Sequence, residues 1–138
     1  VGNTAVRDAV SSGECDAGLI DTSDANEAKS YGKAVDIIYP DQESGGLGVF
    51  LIPNTVALVK NGPNPENGRK LIDYLLRRET EEKLAYSASA QIPLRSIVSR
   101  PESVPYIDDL KLMDVDYNVV AGRMDYSNEF LLDLFATT

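Results

Sequence analysis

Asp21, Thr22, Ser23 and Asp24 place four oxygen-bearing side chains directly after the apolar run at residues 17–20. Two carboxylates three residues apart, with hydroxyls between them, offer the hard oxygen donors that suit a cation. The same residue types suit the start of a helix, where Thr22, Ser23 or Asp24 could accept the first unpaired backbone N–H groups. Asp24 with Glu27 has the spacing of a capping pair. A short apolar run ending in such residues reads as a buried parallel strand feeding a helix. Ligands of open α/β sheets lie outside the carboxyl ends of strands, which would turn Asp21 to Asp24 toward a cleft. Taken by itself the segment favours simple capping, with Asp21 a solvated loop residue.

The elements needed to hold these residues can be read on either side of them. Ala5, Val6, Ala9 and Val10 share one helical face between Asn3, a capping residue, and Gly13, a stop. Ala25, Ala28 and Tyr31 mark a second helix ended by Gly32, and residues 35–39 form a second apolar run closed by Pro40. Helix, strand, helix, strand in 40 residues predicts an α/β fold with a parallel sheet and right-handed crossovers. Residues 47–52 and 55–59 are two further strand-like runs around Pro53-Asn54, a proline position that suits an edge or a crossover. Asn64-Pro65-Glu66 opens a helix whose stripe is Leu71, Ile72, Leu75 and Leu76. Thr80 starts a short helix through Tyr86. A last helix, from 116 to about 135, aligns Val120, Met124, Ser127, Leu131 and Leu134 or Phe135 and is expected to dock on a core.

Composition narrows the chemistry. The chain has 138 residues, 43% hydrophobic and 25% charged, which is ordinary for one globular core. It has no apolar run of membrane-spanning length and no basic-then-apolar leader at Val1, so it reads as a soluble chain entered midway through an αβ unit. The net charge is −9, and residues 1–42 hold three Lys/Arg against eight Asp/Glu. Such a surface repels phosphate backbones, so no nucleic-acid partner is expected. Cys15 is the only cysteine and histidine is absent. That excludes an internal disulfide, a histidine general base and a Ser-His-Asp triad. Beside the apolar run, Cys15 is expected to be a buried, inert thiol.

Seven phrases in order then resemble one family: Asn3 to Val10, Gly13 to Leu19, Asp21 to Ala25, Tyr39 to Gln42, Pro53 to Leu58, Pro63 to Leu76, and Gln91-Ile92-Pro93-Leu94-Arg95. Together they resemble the later half of bacterial extracellular solute-binding proteins of ABC importers, nearest the ferric-ion-binding branch. The resemblance implies a type 2 periplasmic-binding-protein-like fold, present as a C-terminal fragment spanning parts of two lobes. Residues 1–42 would end the second lobe, and residues 43–138 would hold the interlobe crossover and the returning helical part of the first. In the ferric branch adjacent tyrosines follow the strand that matches residues 17–20, whereas this chain has Ser23 and Asp24. Asn3 matches a cleft asparagine that helps hold a companion anion.

The expected role is therefore a substrate-binding component of an importer, not an enzyme. It would capture a small solute, ferric ion with a companion anion or another cation being one class, and deliver it to a membrane permease in the periplasm or at the cell surface. Asn3, Thr4, Asp21, Thr22, Ser23 and Asp24 are the candidate ligand-binding residues, with Asp21 and Asp24 as metal ligands and no resident cofactor. Capping and cleft-lining both stay open for Asn3, Asp21 and Asp24. The rival readings are a sensor or interaction module on the same fold and an enzyme using Asp21 and Asp24 as acid and base. Unpaired strands at 47–59 and the apolar last helix predict self-association.

Overall fold

The computed structural model describes residues 2–136; Val1 lies outside them. Helix α1 is Asn3–Ser12 and α2 is Thr22–Ser30. Helices α3, Pro65–Leu75, and α4, Arg78–Ala85, follow, and α5 is Tyr117–Ala136. A 3-10 turn occupies Ile107–Asp109.

Local chemistry explains the helix ends. Gly13 closes α1 at φ 78, a left-handed conformation that glycine adopts without a Cβ clash, and the Glu14 N–H reaches back to the Ala9 carbonyl at 2.9 Å. Gly32, at φ 73, ends α2 in the same way, with the Lys33 N–H on the Ala28 carbonyl at 3.1 Å. Pro65 takes the first position of α3, where its missing N–H costs nothing. Asp116 accepts the Asn118 N–H at 2.8 Å and so caps α5. Helix α4 begins at Arg78, two residues before the expected start. Thr80 is then buried within it, and its hydroxyl donates to the Tyr74 carbonyl at 2.7 Å, closing the bend from α3.

The sheet is where expectation and structure part. Among the described residues there is no strand, only an isolated parallel bridge between Val49 and Leu112. A strand exists through its neighbour's hydrogen bonds, however apolar its own residues are. The runs at 17–20 and 35–39 lack such a neighbour, so Leu19 is 93% exposed and Ile38 88% exposed. For the same reason Cys15 is exposed, contrary to the buried thiol expected. The helix-strand-helix-strand unit is thus realised as α1 and α2 alternating with irregular segments.

The one bridge is reinforced from its flanks. Val49 N–H donates to the Lys111 carbonyl at 2.9 Å and Met113 N–H to the Val49 carbonyl at 3.0 Å. The Gln42 side-chain amide imitates a paired peptide: its oxygen accepts the Lys111 N–H at 2.8 Å and its nitrogen donates to the Lys111 carbonyl at 3.1 Å. Gly48, at φ 88, lies so close that a Cβ there would stand 2.7 Å from the Lys111 carbonyl oxygen.

Among the described residues the buried apolar side chains are few and small, Ala28, Ala85, Val98 and Val104, with Pro93 also buried. Of the apolar positions expected to share helix faces, Ala28 of α2 is among them, and the stripes of α3 and α5 contribute none. No residue of α3 is buried, and Leu71, Leu75 and Leu76 remain exposed. Nor does α5 bury a residue, so the expected docking on a core is not made within the described chain. Its first residue is its clearest attachment, Tyr117 donating its hydroxyl to the Leu51 carbonyl at 2.7 Å and stacking on Phe50.

Candidate functional site

Helices α1 and α2 pack on each other and bring their starts together. Asp21 is the capping residue of α2: extended at φ −76 and ψ 159, it accepts the Asp24 N–H on Oδ1 at 3.0 Å. The same oxygen accepts the Ser23 hydroxyl at 2.7 Å, and Oδ2 accepts the Asn3 side-chain amide. The residue read as a solvated loop position is therefore the cap, and Thr22, Ser23 and Asp24 lie inside the first turn. Partial burial pushes the Asp21 carboxyl pKa up, but the hydrogen bonds from Asp24 and Ser23 outweigh it and hold it below the ordinary value.

Asn3 is the first residue of α1 and not its cap, because Gly2 occupies that place with no side chain to offer. The Gly2 carbonyl takes the N–H groups of Ala5 and Val6. The N–H groups of Asn3 and Thr4 thus point out of the helix start, as the first donors of any helix must. Gly2, Asn3, Thr4, Ala5 and Asp8 line a shallow concavity of about 360 Å³ at this end. Asn3 joins it to the Asp21 cap, while the Thr22 hydroxyl stays outside the hydrogen-bonded set.

Arg7 is the residue that sequence reasoning missed. Its Nη1 meets Glu27 at 2.8 Å and stands 3.9 Å from Asp24, and its Nε meets Asp8 at 3.0 Å. The hydrogen bond to Asp8 raises the guanidinium pKa above its usual value; desolvation opposes it, and the charges of Asp8, Glu27 and Asp24 add to the rise. A signal was present: Arg7 is the only Lys or Arg before Lys29. One cation among that many carboxylates has to be shared.

Asp21 and Asp24 are neighbours on one helical turn, yet each already has partners: three donors on Asp21 and Arg7 beside Asp24. Among the described residues no group of three or more His, Cys, Asp or Glu is arranged to hold a metal ion. The arrangement offers a helix start open to an anionic group, with carboxylates at its rim.

A family model described as "Bacterial extracellular solute-binding protein" matches residues 1–82. The chain belongs to this family. Membership of this family implies the type 2 periplasmic-binding fold; among the described residues the structure is helical, with no strand. A protein of Salmonella typhimurium named as a 2-aminoethylphosphonate-binding periplasmic protein is 35% identical over 65 residues, 47% of this chain and 19% of that one. The protein named Iron uptake protein A1, of Synechocystis, is 32% identical over 110 residues, 70% of this chain and 30% of that one. The chain thus spans less than a third of the length of these relatives. No solved structure gives a significant match. Among the described residues no helix is long and apolar enough to cross a membrane.

Proposed function

We propose that the chain forms part of the solute-binding component of an ABC importer, working in the periplasm or at the cell surface with a membrane permease, and that Asn3, Thr4, Asp21 and Asp24 face the solute. In this reading residues 1–42 belong to one lobe and residues 43–138 to the crossover and the other, and closure of the lobes traps the solute. The observation that carries it is the hydrogen bond from Asn3 to Asp21, which joins two helix starts into one surface. Proteins of this family bind and do not transform their solutes, so no catalytic residue is assigned.

The geometry favours a small solute with both an anionic and a cationic end. Free N–H groups at the start of α1 suit the anion, and Asp8 on the wall of the concavity suits an ammonium group that shares it with Arg7. The relative named for 2-aminoethylphosphonate supports this class. A second reading has support of its own: ferric ion with a companion anion, held by Asp21 and Asp24, in keeping with the relative named for iron uptake. For it, a cation must displace the Asn3 and Ser23 donors from Asp21.

Native mass spectrometry of the longest natural protein that carries this sequence tests both. A retained small zwitterion supports the first reading, and iron with an anion supports the second. A protein that retains neither, and whose melting temperature responds to neither, contradicts the assignment.

A further inference from the structure

We infer that Arg7 sets the charge preference of the solute surface at the α1 start: by dividing its guanidinium between Asp8 and α2, it leaves Asp8 able to take the ammonium end of a solute. The inference rests on the reading of that surface proposed above. Gly2, Asn3, Thr4, Ala5 and Asp8 form the wall of the concavity, so Arg7 acts there through Asp8 and not by its own contact. Its side chain is largely withdrawn, 22% exposed against 65% for Asp8. Nε meets Asp8 Oδ1 at 3.0 Å, while Nη1 is turned to α2, 2.8 Å from Glu27 Oε2. A guanidinium is a rigid planar fork, so the arm given to Glu27 cannot also close a two-pronged pair on Asp8. Asp8 is therefore held in place by one bond and only part-neutralised.

Asp24, at 3.9 Å, is the third carboxylate on the one guanidinium, so negative charge stays in excess beside the wall. The first N–H groups of α1 suit an anionic end, and this excess favours a solute that also carries a cation over one that does not. Specificity is a difference between two affinities, and the anionic end, common to both solutes, cancels from it. Without the Arg7 cation, Asp8 would stand unopposed and the preference would sharpen. Without the Glu27 carboxylate, Nη1 would be released toward Asp8 and the preference would fade.

The test is a calorimetric titration of the longest natural protein that carries this sequence with 2-aminoethylphosphonate and with ethylphosphonate, which lacks the amine, in wild type, Arg7→Gln and Glu27→Gln. The quantity read is the ratio of the two affinities. A general loosening of α1 on α2 weakens both ligands alike and leaves that ratio where it was. Arg7→Gln is expected to raise the preference for the amine about threefold and Glu27→Gln to lower it by as much, the worth of one partly exposed charge pair. An unchanged ratio in Arg7→Gln, or a shift of the opposite sign in either variant, overturns the inference; should Arg7→Gln not fold, the ratio in Glu27→Gln decides alone. Wild type that binds both ligands while no variant moves the ratio overturns this inference only, and wild type that binds neither overturns the zwitterion reading with it.

Discussion

Asn3 donates its side-chain amide to the Asp21 carboxylate, so the first residue of α1 is tied to the residue that caps α2. The bond spans 18 positions of sequence and turns two separate helix starts into one polar surface. Asp21 is both the cap of α2 and a residue proposed to face the solute, and Asp21→Asn, which keeps the capping oxygen and removes the charge, tests the two roles apart.

Asp21→Ala removes the cap of α2 and is expected to cost about 1 kcal/mol, the usual worth of such a cap, whereas Asp21→Asn retains most of it. Urea unfolding of the two variants, with unchanged slope, checks this. Equal stability of Asp21→Ala and the wild type would show that the cap is idle.

The pH dependence follows from the depressed pKa of Asp21. A carboxyl held below its unfolded value contributes stability that is fully present above that value and is lost as pH falls through the folded pKa. Asp36, held down chiefly by its hydrogen bond from Lys29, acts in the same direction. The stability gap between wild type and Asp21→Asn should therefore be constant above about pH 5 and shrink below about pH 4. A gap that widens on acidification would reverse the sign and contradict the hydrogen-bond assignment.

What could be read in the sequence was what is local. Gly13, Gly32 and Pro65 stop or start helices through their own backbone chemistry, and all three do so where expected. The cap of α2 was displaced by one residue because Asp21, Thr22, Ser23 and Asp24 are all competent, and only the extended conformation of Asp21 decides among them. Strands could not be settled in this way. The runs around Leu19 and Ile38 have strand composition, but pairing is a property of two segments and neither has its partner among the described residues. The sharing of Arg7 between Glu27, Asp8 and Asp24 likewise depends on α1 meeting α2.

Gly48 tests the single bridge. A side chain there is strained at φ 88 and meets the Lys111 and Leu112 backbone, so Gly48→Ala should destabilise by about 2 kcal/mol or more and expose the Val49 and Met113 amides to exchange. Hydrogen exchange read at those two amides is the check. Protection equal to wild type would mean that residues 48 and 111–113 do not approach as described.

Thr80 tests the joint between α3 and α4. Its buried hydroxyl serves the Tyr74 carbonyl, so Thr80→Val, which keeps the shape and removes the donor, is expected to lower stability by about 1 kcal/mol. Thermal unfolding measures it, and a variant as stable as the parent would mean that water serves the carbonyl equally well.

Solute is expected to meet the joined starts of α1 and α2. The most direct measurement is an NMR titration of the 138-residue chain with 2-aminoethylphosphonate, compared with an Asn3→Ala variant. Saturable shifts are expected at Asn3, Thr4 and Asp21 to Asp24, with affinity in the millimolar range, on the order of −4 kcal/mol, because an open concavity encloses little of its ligand. The variant should weaken it severalfold. Shifts elsewhere with these residues unmoved, or no saturable shift at all for either 2-aminoethylphosphonate or ferric citrate, would contradict it.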